Sequence, residues 1–257
     1  MSTSKHSDLI LDQFTRQAVP FATAAVIKDE AALRLLVEFS GAGPEDTVLD
    51  VACGPGLVVC AFARVVRHAT GIDLTPAMLD RARVHAAEQG VGNVTWRQGD
   101  VLPLPWPDGA FTIVTARFAF HHFLDPLAVL REMARVCAPG GTVLVADSAP
   151  AAAKADAFNR MEILRDPSHV RALPLAEHVE LFRRAGLPEP RATHYRREGD
   201  LEGLIARSFP NPGDADRIRM IFAESLADDA LDMQVRRDGD RIVFGGYPVA
   251  VLAARRS

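Results

Sequence analysis

Lysine is almost missing from this chain: of 29 basic residues only Lys5, Lys28 and Lys154 are lysines, and 33 acidic residues leave a formal net charge of −4. Without a basic excess there is little to neutralise a phosphate backbone or an anionic bilayer, so nucleic-acid and membrane-surface partners are not expected. Cysteine is also scarce. Cys53, Cys60 and Cys137 make no disulfide framework and match no CxxC zinc or redox spacing, so no metal is predicted and a reducing compartment fits. No apolar run approaches the ~20 residues that cross a bilayer, and the opening MSTSKHSDLILDQFTRQ lacks the basic-then-apolar pattern of a secretory signal. The expectation is a soluble, cytoplasmic protein with a small-molecule partner.

What is present is ordinary globular composition, 48% hydrophobic and 24% charged over 257 residues. That length allows one large α/β domain with additions, or a domain plus a small second one. Between residues 47 and 148, strand-like TVLDVA, HATGID, NVTWRQ, FTIVTA and GTVLVAD alternate with helical LVVCAFARVV, PAMLDRARVHAAEQ and PLAVLREMARVC. This alternation predicts a parallel, doubly wound Rossmann-like sheet with helices on both faces. Gly90, Gly92, Pro107, Asp108, Gly109, Pro139, Gly140 and Gly141 supply the turns. Residues 8–39 read as two helices broken near Pro20, a helical lid within 1–40; residues 41–257 read as one domain. After Asp147, helical patterns surround two further strands, RATHYRRE and RIVFGGYPVAVLAARR, with a helical insertion at 199–231. The insertion is expected either as a subdomain near the ligand or as a decorated outer layer.

The segment Asp50-Val-Ala-Cys-Gly-Pro-Gly56 ends the first strand and begins a helix. Glycines at 54 and 56 let backbone approach a ligand beside unsatisfied helix N–H groups. Asp73 closes the second strand, where a carboxylate accepts ribose hydroxyls. Asp100 closes the third, where it accepts from an adenine amine while Val101 donates its N–H. The alternative for either acid is a helix N-cap. A dinucleotide fingerprint requires a third glycine where Val59 stands, and Asp50 suits a cationic amino-acid end better than a diphosphate. An adenosyl amino acid is left.

VLDVACGPG, TGIDLTPAML, QGDVLPLPWPDGAFTIVTARFAFHHF and LREMARVCAPGGTVLVAD together resemble the class I S-adenosylmethionine-dependent methyltransferases, in particular the ubiquinone and menaquinone biosynthesis C-methyltransferase subgroup. The resemblance covers about residues 46–148. It implies a seven-stranded sheet with an antiparallel last strand, S-adenosylmethionine as cofactor and S-adenosylhomocysteine as product. It places Gly54 and Gly56 by the methionine moiety, Asp73 and Leu74 at the ribose, Met78 on one adenine face, and Asp100 and Val101 at the adenine edge. Ala52 stands where glycine is common, and Arg117 is followed by Phe118 rather than by the asparagine of the quinone enzymes, so a quinone acceptor does not follow.

The turn R-F-A-F-H-H-F puts Arg117, Phe118, Phe120, His121, His122 and Phe123 at the pocket mouth. Arg117 belongs with the cofactor contacts beside Asp50 and Ala52. A histidine near pH 7 can remove an acceptor proton, so His121 and His122 are the candidate bases; the alternative is that one ring only orients backbone. Phe14, Gln17 and Phe21 either close over the cofactor or belong to an amphipathic packing helix, and Phe14, Phe21, Phe118, Phe120 and His169 are the candidate acceptor contacts. Arg165, Arg171, Arg207 and Phe209 either select an anionic or aromatic acceptor or form a solvated face. The expected function is methyl transfer to a small, apolar or aromatic metabolite by a monomer or homodimer. The rivals are non-methylating S-adenosylmethionine chemistry and a regulatory ligand-binding module on the same fold.

Overall fold

The computed structural model describes residues 3–23 and 29–257, with side chains described at 5–19 and 29–257. The strands are β1 Thr47–Val51, β2 His68–Asp73, β3 Val94–Gln98, β4 Phe111–Arg117, β5 Cys137–Ser148, β6 Arg191–Asp200, β7 Val235–Asp238 and β8 Arg241–Arg255. The helices are α1 Thr3–Thr23, α2 Glu30–Ser40, α3 Leu57–Ala63, α4 Pro76–Glu88, α5 Pro126–Val136, α6 Ala155–Arg165, α7 Leu175–Arg184, α8 Leu201–Ala206 and α9 Asp214–Ser225. None of the described helices is long and apolar enough to cross a membrane.

Strand order is β3-β2-β1-β4-β5-β8-β6. The first five strands pair in parallel, and β8 runs antiparallel to both β5 and β6. This is the expected doubly wound sheet with an antiparallel last strand. An eighth strand is added: β7 forms a short hairpin with the start of β8. The order reverses between β1 and β4, which opens a crevice beyond their carboxyl ends, the usual ligand position in open α/β sheets.

Both faces of the sheet are covered because its central strands are apolar on both sides. Leu36, Val48, Val59, Phe62 and Leu79 form one buried layer under α2, α3 and α4. Leu49, Ile72, Val114, Leu130 and Met133 form the other, under α5 and α7. Each fully buried Leu, Ile or Phe contributes about 1.5–3 kcal/mol. The insertion has its own core, in which Leu204, Ile218 and Phe222 meet Phe158 and Met161 of α6 and Phe244 of β8.

Two local readings change. The backbone of α1 continues as helix through Pro20 to Thr23, and the segment where the first two helices part, 24–28, lies outside the described residues. Pro139-Gly140-Gly141 lies within β5 beside a register shift against β4, so the ladder begins at Cys137 and bulges there.

Candidate active site

The cofactor side is built by the turns after β1 and β2. Ala52, Gly54 and Gly56 all have positive φ, 56°, 51° and 77°, a conformation that is costly for alanine and free for glycine. The two glycines serve different ends. A Cβ on Gly54 meets nothing within 4 Å, whereas one on Gly56 falls 2.5 Å from Trp96 Cη2 and 2.9 Å from Ala82 Cβ. Gly54 leaves its space to the crevice; Gly56 is required by packing of β3 and α4 against the loop.

Asp73 ties the two turns together. Gly54 N donates to its Oδ2 and Thr75 N to its Oδ1, each at 2.8 Å. Burial raises its carboxyl above the usual range, against the lowering effect of these hydrogen bonds. The N-cap of α4 is Thr75, so Asp73 is not a helix cap. Asp100 caps no helix either. It is exposed, and its Oδ1 accepts from Val101 N at 2.6 Å and Leu102 N at 3.3 Å, so the Val101 N–H expected to face adenine donates to Asp100 itself.

Asp50 is 1% exposed, and its Oδ1 has no hydrogen-bond partner among the described residues. Burial pushes its carboxyl well up, Arg117 opposes this and Asp73 adds to it. An orphaned buried carboxylate oxygen is costly unless a donor arrives. Asp50, Ala52, Gly54, Asp73, Met78, Arg117, Phe118 and His122 line one cavity of about 120 Å³, with Ile10 and Phe14 of α1 across it. Leu74, Gly56, Asp100 and Val101 are not part of its wall.

Phe118 also has a positive φ, 54°, which turns the chain out of β4. Phe14, Phe118 and His122 line a second, adjoining cavity of about 60 Å³, together with His121, Ser148, Arg165, Arg197, Arg207 and Tyr247. His121 Nδ1 lies 2.5 Å from Asp147 Oδ1. Burial lowers the His121 pKa, but the charge and hydrogen bond of Asp147, with Glu162 beyond, outweigh it and the net direction is up. His122 Nδ1 lies 3.0 Å from the Ser168 carbonyl; a carbonyl only accepts, so Nδ1 carries the proton. Burial and the neighbouring His121 lower the His122 pKa to about 4.

The remaining acceptor candidates are dispersed. Phe14 and Phe118 face both cavities. Phe120 is 3% exposed and packed in the main core with Phe123. His169 stands behind His121 with Nε2 2.7 Å from Asn159 Oδ1, outside both cavity walls. The Phe21 side chain lies outside the described residues. Gln17 is buried and donates to Asp166 Oδ2 and the Ser208 carbonyl, so it fastens α1 rather than facing a ligand. Arg171 pairs with Glu177 at the surface. Sequence reasoning missed Asp147, legible as a strand-end acid like Asp50 and Asp73, and missed Ile10, Arg197, Phe244 and Tyr247, which no local motif marks.

A methyltransferase-domain family model matches residues 49–145. The chain is 37% identical over 171 residues to the uncharacterized methyltransferase YcgJ of Bacillus subtilis, covering 66% of this chain and 68% of that protein. The crystal structure of YcgJ superposes with a TM-score of 0.80 at 29% identity, over 89% of this chain and 99% of that one. The ubiquinone/menaquinone C-methyltransferase UbiE of Bdellovibrio bacteriovorus is 39% identical over 112 residues, 43% of this chain and 47% of UbiE. A geranyl diphosphate C-methyltransferase from Streptomyces coelicolor, solved with S-adenosyl-L-homocysteine, shares the fold at 21% identity and TM-score 0.61, over 89% and 79% of the two chains.

Proposed function

This chain belongs to the class I S-adenosylmethionine-dependent methyltransferases, and from that premise we propose that it holds the cofactor in the larger cavity and methylates a small molecule seated in the smaller one. The observation that carries this reading is the orphaned Asp50 Oδ1, buried in the wall of a cavity that adjoins the His121–Asp147 pair. The residues in the cavity wall fit an adenosyl amino acid: Asp50 is the acceptor for its ammonium, Asp73 for its ribose hydroxyls, and Met78 packs on its adenine. Arg117 and Ala52, in the same cavity wall, would lie at the amino-acid end.

When bound, S-adenosylmethionine supplies an electrophilic methyl group on a sulfonium. The chain's own contribution is alignment, exclusion of water and removal of one proton. Phe14 of α1 lines both cavities, and α1 is fastened near its start and in its middle: His6 Nε2 is 2.7 Å from the His122 carbonyl, and Gln13 and Gln17 donate to the Ser208 carbonyl. Good alignment is worth effective molarities up to roughly 10⁵ M or more. His121 is the base of choice, because it lines the acceptor cavity and Asp147 fixes the proton on Nδ1, which leaves the lone pair on Nε2. His122, with a pKa of about 4, is a weaker base and acts by holding the turn.

An open second cavity lined by Phe118 and His121 counts against a purely regulatory module. Incubation with S-adenosylmethionine and fractionated small-molecule extract is expected to release S-adenosylhomocysteine together with a methylated product. Turnover of an acceptor without S-adenosylhomocysteine would sink methyl transfer, and failure of S-adenosylhomocysteine to bind in calorimetry would sink the cofactor assignment.

A further inference from the structure

Two of the arginines at the second cavity have no paired carboxylate among the described residues. Arg165 gives Nε and Nη2 to Glu162 Oε2 at 3.0 and 2.6 Å, and Nη1 to Ser208 Oγ at 3.1 Å. Asp166 accepts from Ser168 and Gln17, His121 is matched by Asp147, and Asp200 is held by Gly203 N and Arg241. Arg197 and Arg207 are left, both in the cavity wall and neither in an ion pair among the described residues.

Arg197 is the more unusual of the two. Its Nε is buried with no hydrogen-bond partner among the described residues, and its guanidinium lies between the rings of Phe118 and Tyr247, 4.7 and 5.5 Å from their centroids. Burial and the charge of Arg117 lower its pKa to about 10, so it stays charged at neutral pH. Two aromatic faces hold a cation weakly, and they leave the planar edge of the fork, the part that binds two oxygens at once, unengaged. Arg197 is the cross-strand partner of Tyr247, beside a register shift between Arg197 and Gly199; bulges of this kind re-aim side chains beside functional sites. The Tyr247 hydroxyl accepts from Ser148 Oγ at 3.3 Å, which leaves its own O–H to donate.

We infer that the second cavity is an oxyanion subsite: Arg197 and Arg207, with the Tyr247 hydroxyl, bind a carboxylate or phosphate of the methyl acceptor, whose apolar body lies along Phe118 toward the cofactor cavity. This deepens the reading of that cavity as the acceptor site and rests on it. It narrows the acceptor from an apolar or aromatic metabolite to an amphiphilic acid.

The test is calorimetry of the full chain saturated with S-adenosylhomocysteine, titrated with benzoate, phenyl phosphate and the neutral probe benzyl alcohol. At least one anion is expected to bind ten-fold or more tighter than benzyl alcohol, and the stronger of the two identifies the head group. Arg197→Gln and Arg207→Gln are each expected to cost the preferred anion at least ten-fold and to leave benzyl alcohol unchanged; Arg197→Lys retains part of the affinity as a charge without the fork. Equal binding of anionic and neutral probes, no binding of either anion, or anion affinity indifferent to both glutamine variants overturns the subsite. The S-adenosylhomocysteine titration of each variant reads the cofactor site separately: an unchanged affinity confines any failure to the oxyanion proposal. Because Arg207 is only half-buried, Arg207→Gln keeps the test available if Arg197→Gln does not fold.

Discussion

His121 Nδ1 and Asp147 Oδ1, 2.5 Å apart, join the turn after β4 to the end of β5 through one buried pair. The same carboxylate accepts Phe120 N and Ser148 N at 2.7 and 2.6 Å, so the turn geometry and the tautomer of His121 are set by one side chain. Asp147 is itself held below the usual carboxylate range, its burial outweighed by the charge and hydrogen bond of His121, by His178 and by the Ser148 N–H.

A base must be deprotonated to act, and the His121 pKa lies above its ordinary 6.5. The groups facing it are Asp147, Glu162, Arg165, His122, His169 and His178. kcat/KM is therefore expected to rise with pH through a limb above 6.5. His121→Ala should cost about 10²–10⁴-fold in rate, and Asp147→Asn should move the limb to lower pH by removing the charge that raises it. A pH profile unchanged in Asp147→Asn would exclude His121 as the base.

Asp73→Ala removes a carboxylate that holds Gly54 N and Thr75 N and faces the cavity. Charge-assisted hydrogen bonds are worth about 1.5–3 kcal/mol each, so S-adenosylhomocysteine affinity is expected to fall by about 100-fold or more. Calorimetry of the alanine variant against Asp73→Asn, which keeps one acceptor, measures this; unaltered affinity in both refutes the assignment.

Gly54→Ala and Gly56→Ala should part company. At Gly54 only the left-handed conformation is penalised, about 1 kcal/mol, so the fold survives while the cofactor loses space. At Gly56 the clash with Trp96 adds an overpacking cost of about 1–3 kcal/mol. Urea denaturation should rank Gly56→Ala well below Gly54→Ala, with partial rescue by Trp96→Leu.

His122 is buried neutral, its pKa lowered from 6.5 to about 4. As pH falls from 6.5 to 4 the unfolded chain takes a proton that the folded chain refuses, a loss of about 3 kcal/mol across that window. His121 has the opposite sign, its stabilisation present below 6.5 and lost as pH rises through its folded value. Comparing urea midpoints at pH 7 and pH 5, His122→Gln should lose less stability on acidification than the parent; equal losses would contradict the buried neutral ring.

The alternation of strands and helices from 47 to 148 was readable because side-chain period and turn residues are local properties. Each of the five strands expected there lies within two residues of its place, apart from the earlier start of β5 at Cys137. Asp50 and Asp73 were readable for the same reason, since a strand end fixes where the next side chain emerges. Pro20 misled because a proline is a local helix breaker, and α1 continues through it.

By itself, then, the sequence determined the sheet and the family, both consequences of short-range pattern. Tertiary structure alone decided what depends on residues far apart. Gly56 is glycine because of Trp96, forty positions on; Phe120 turns into the core while Phe118 turns out. The insertion, which its helical pattern left as either subdomain or outer layer, lines the second cavity through Leu204 and Arg207. Arg197, unremarkable in RATHYRRE, became a cation held between two rings, its Nε buried, only when β6 paired with β8. Burial and charge balance are sums over neighbours that the chain acquires by folding, and no window of sequence contains them.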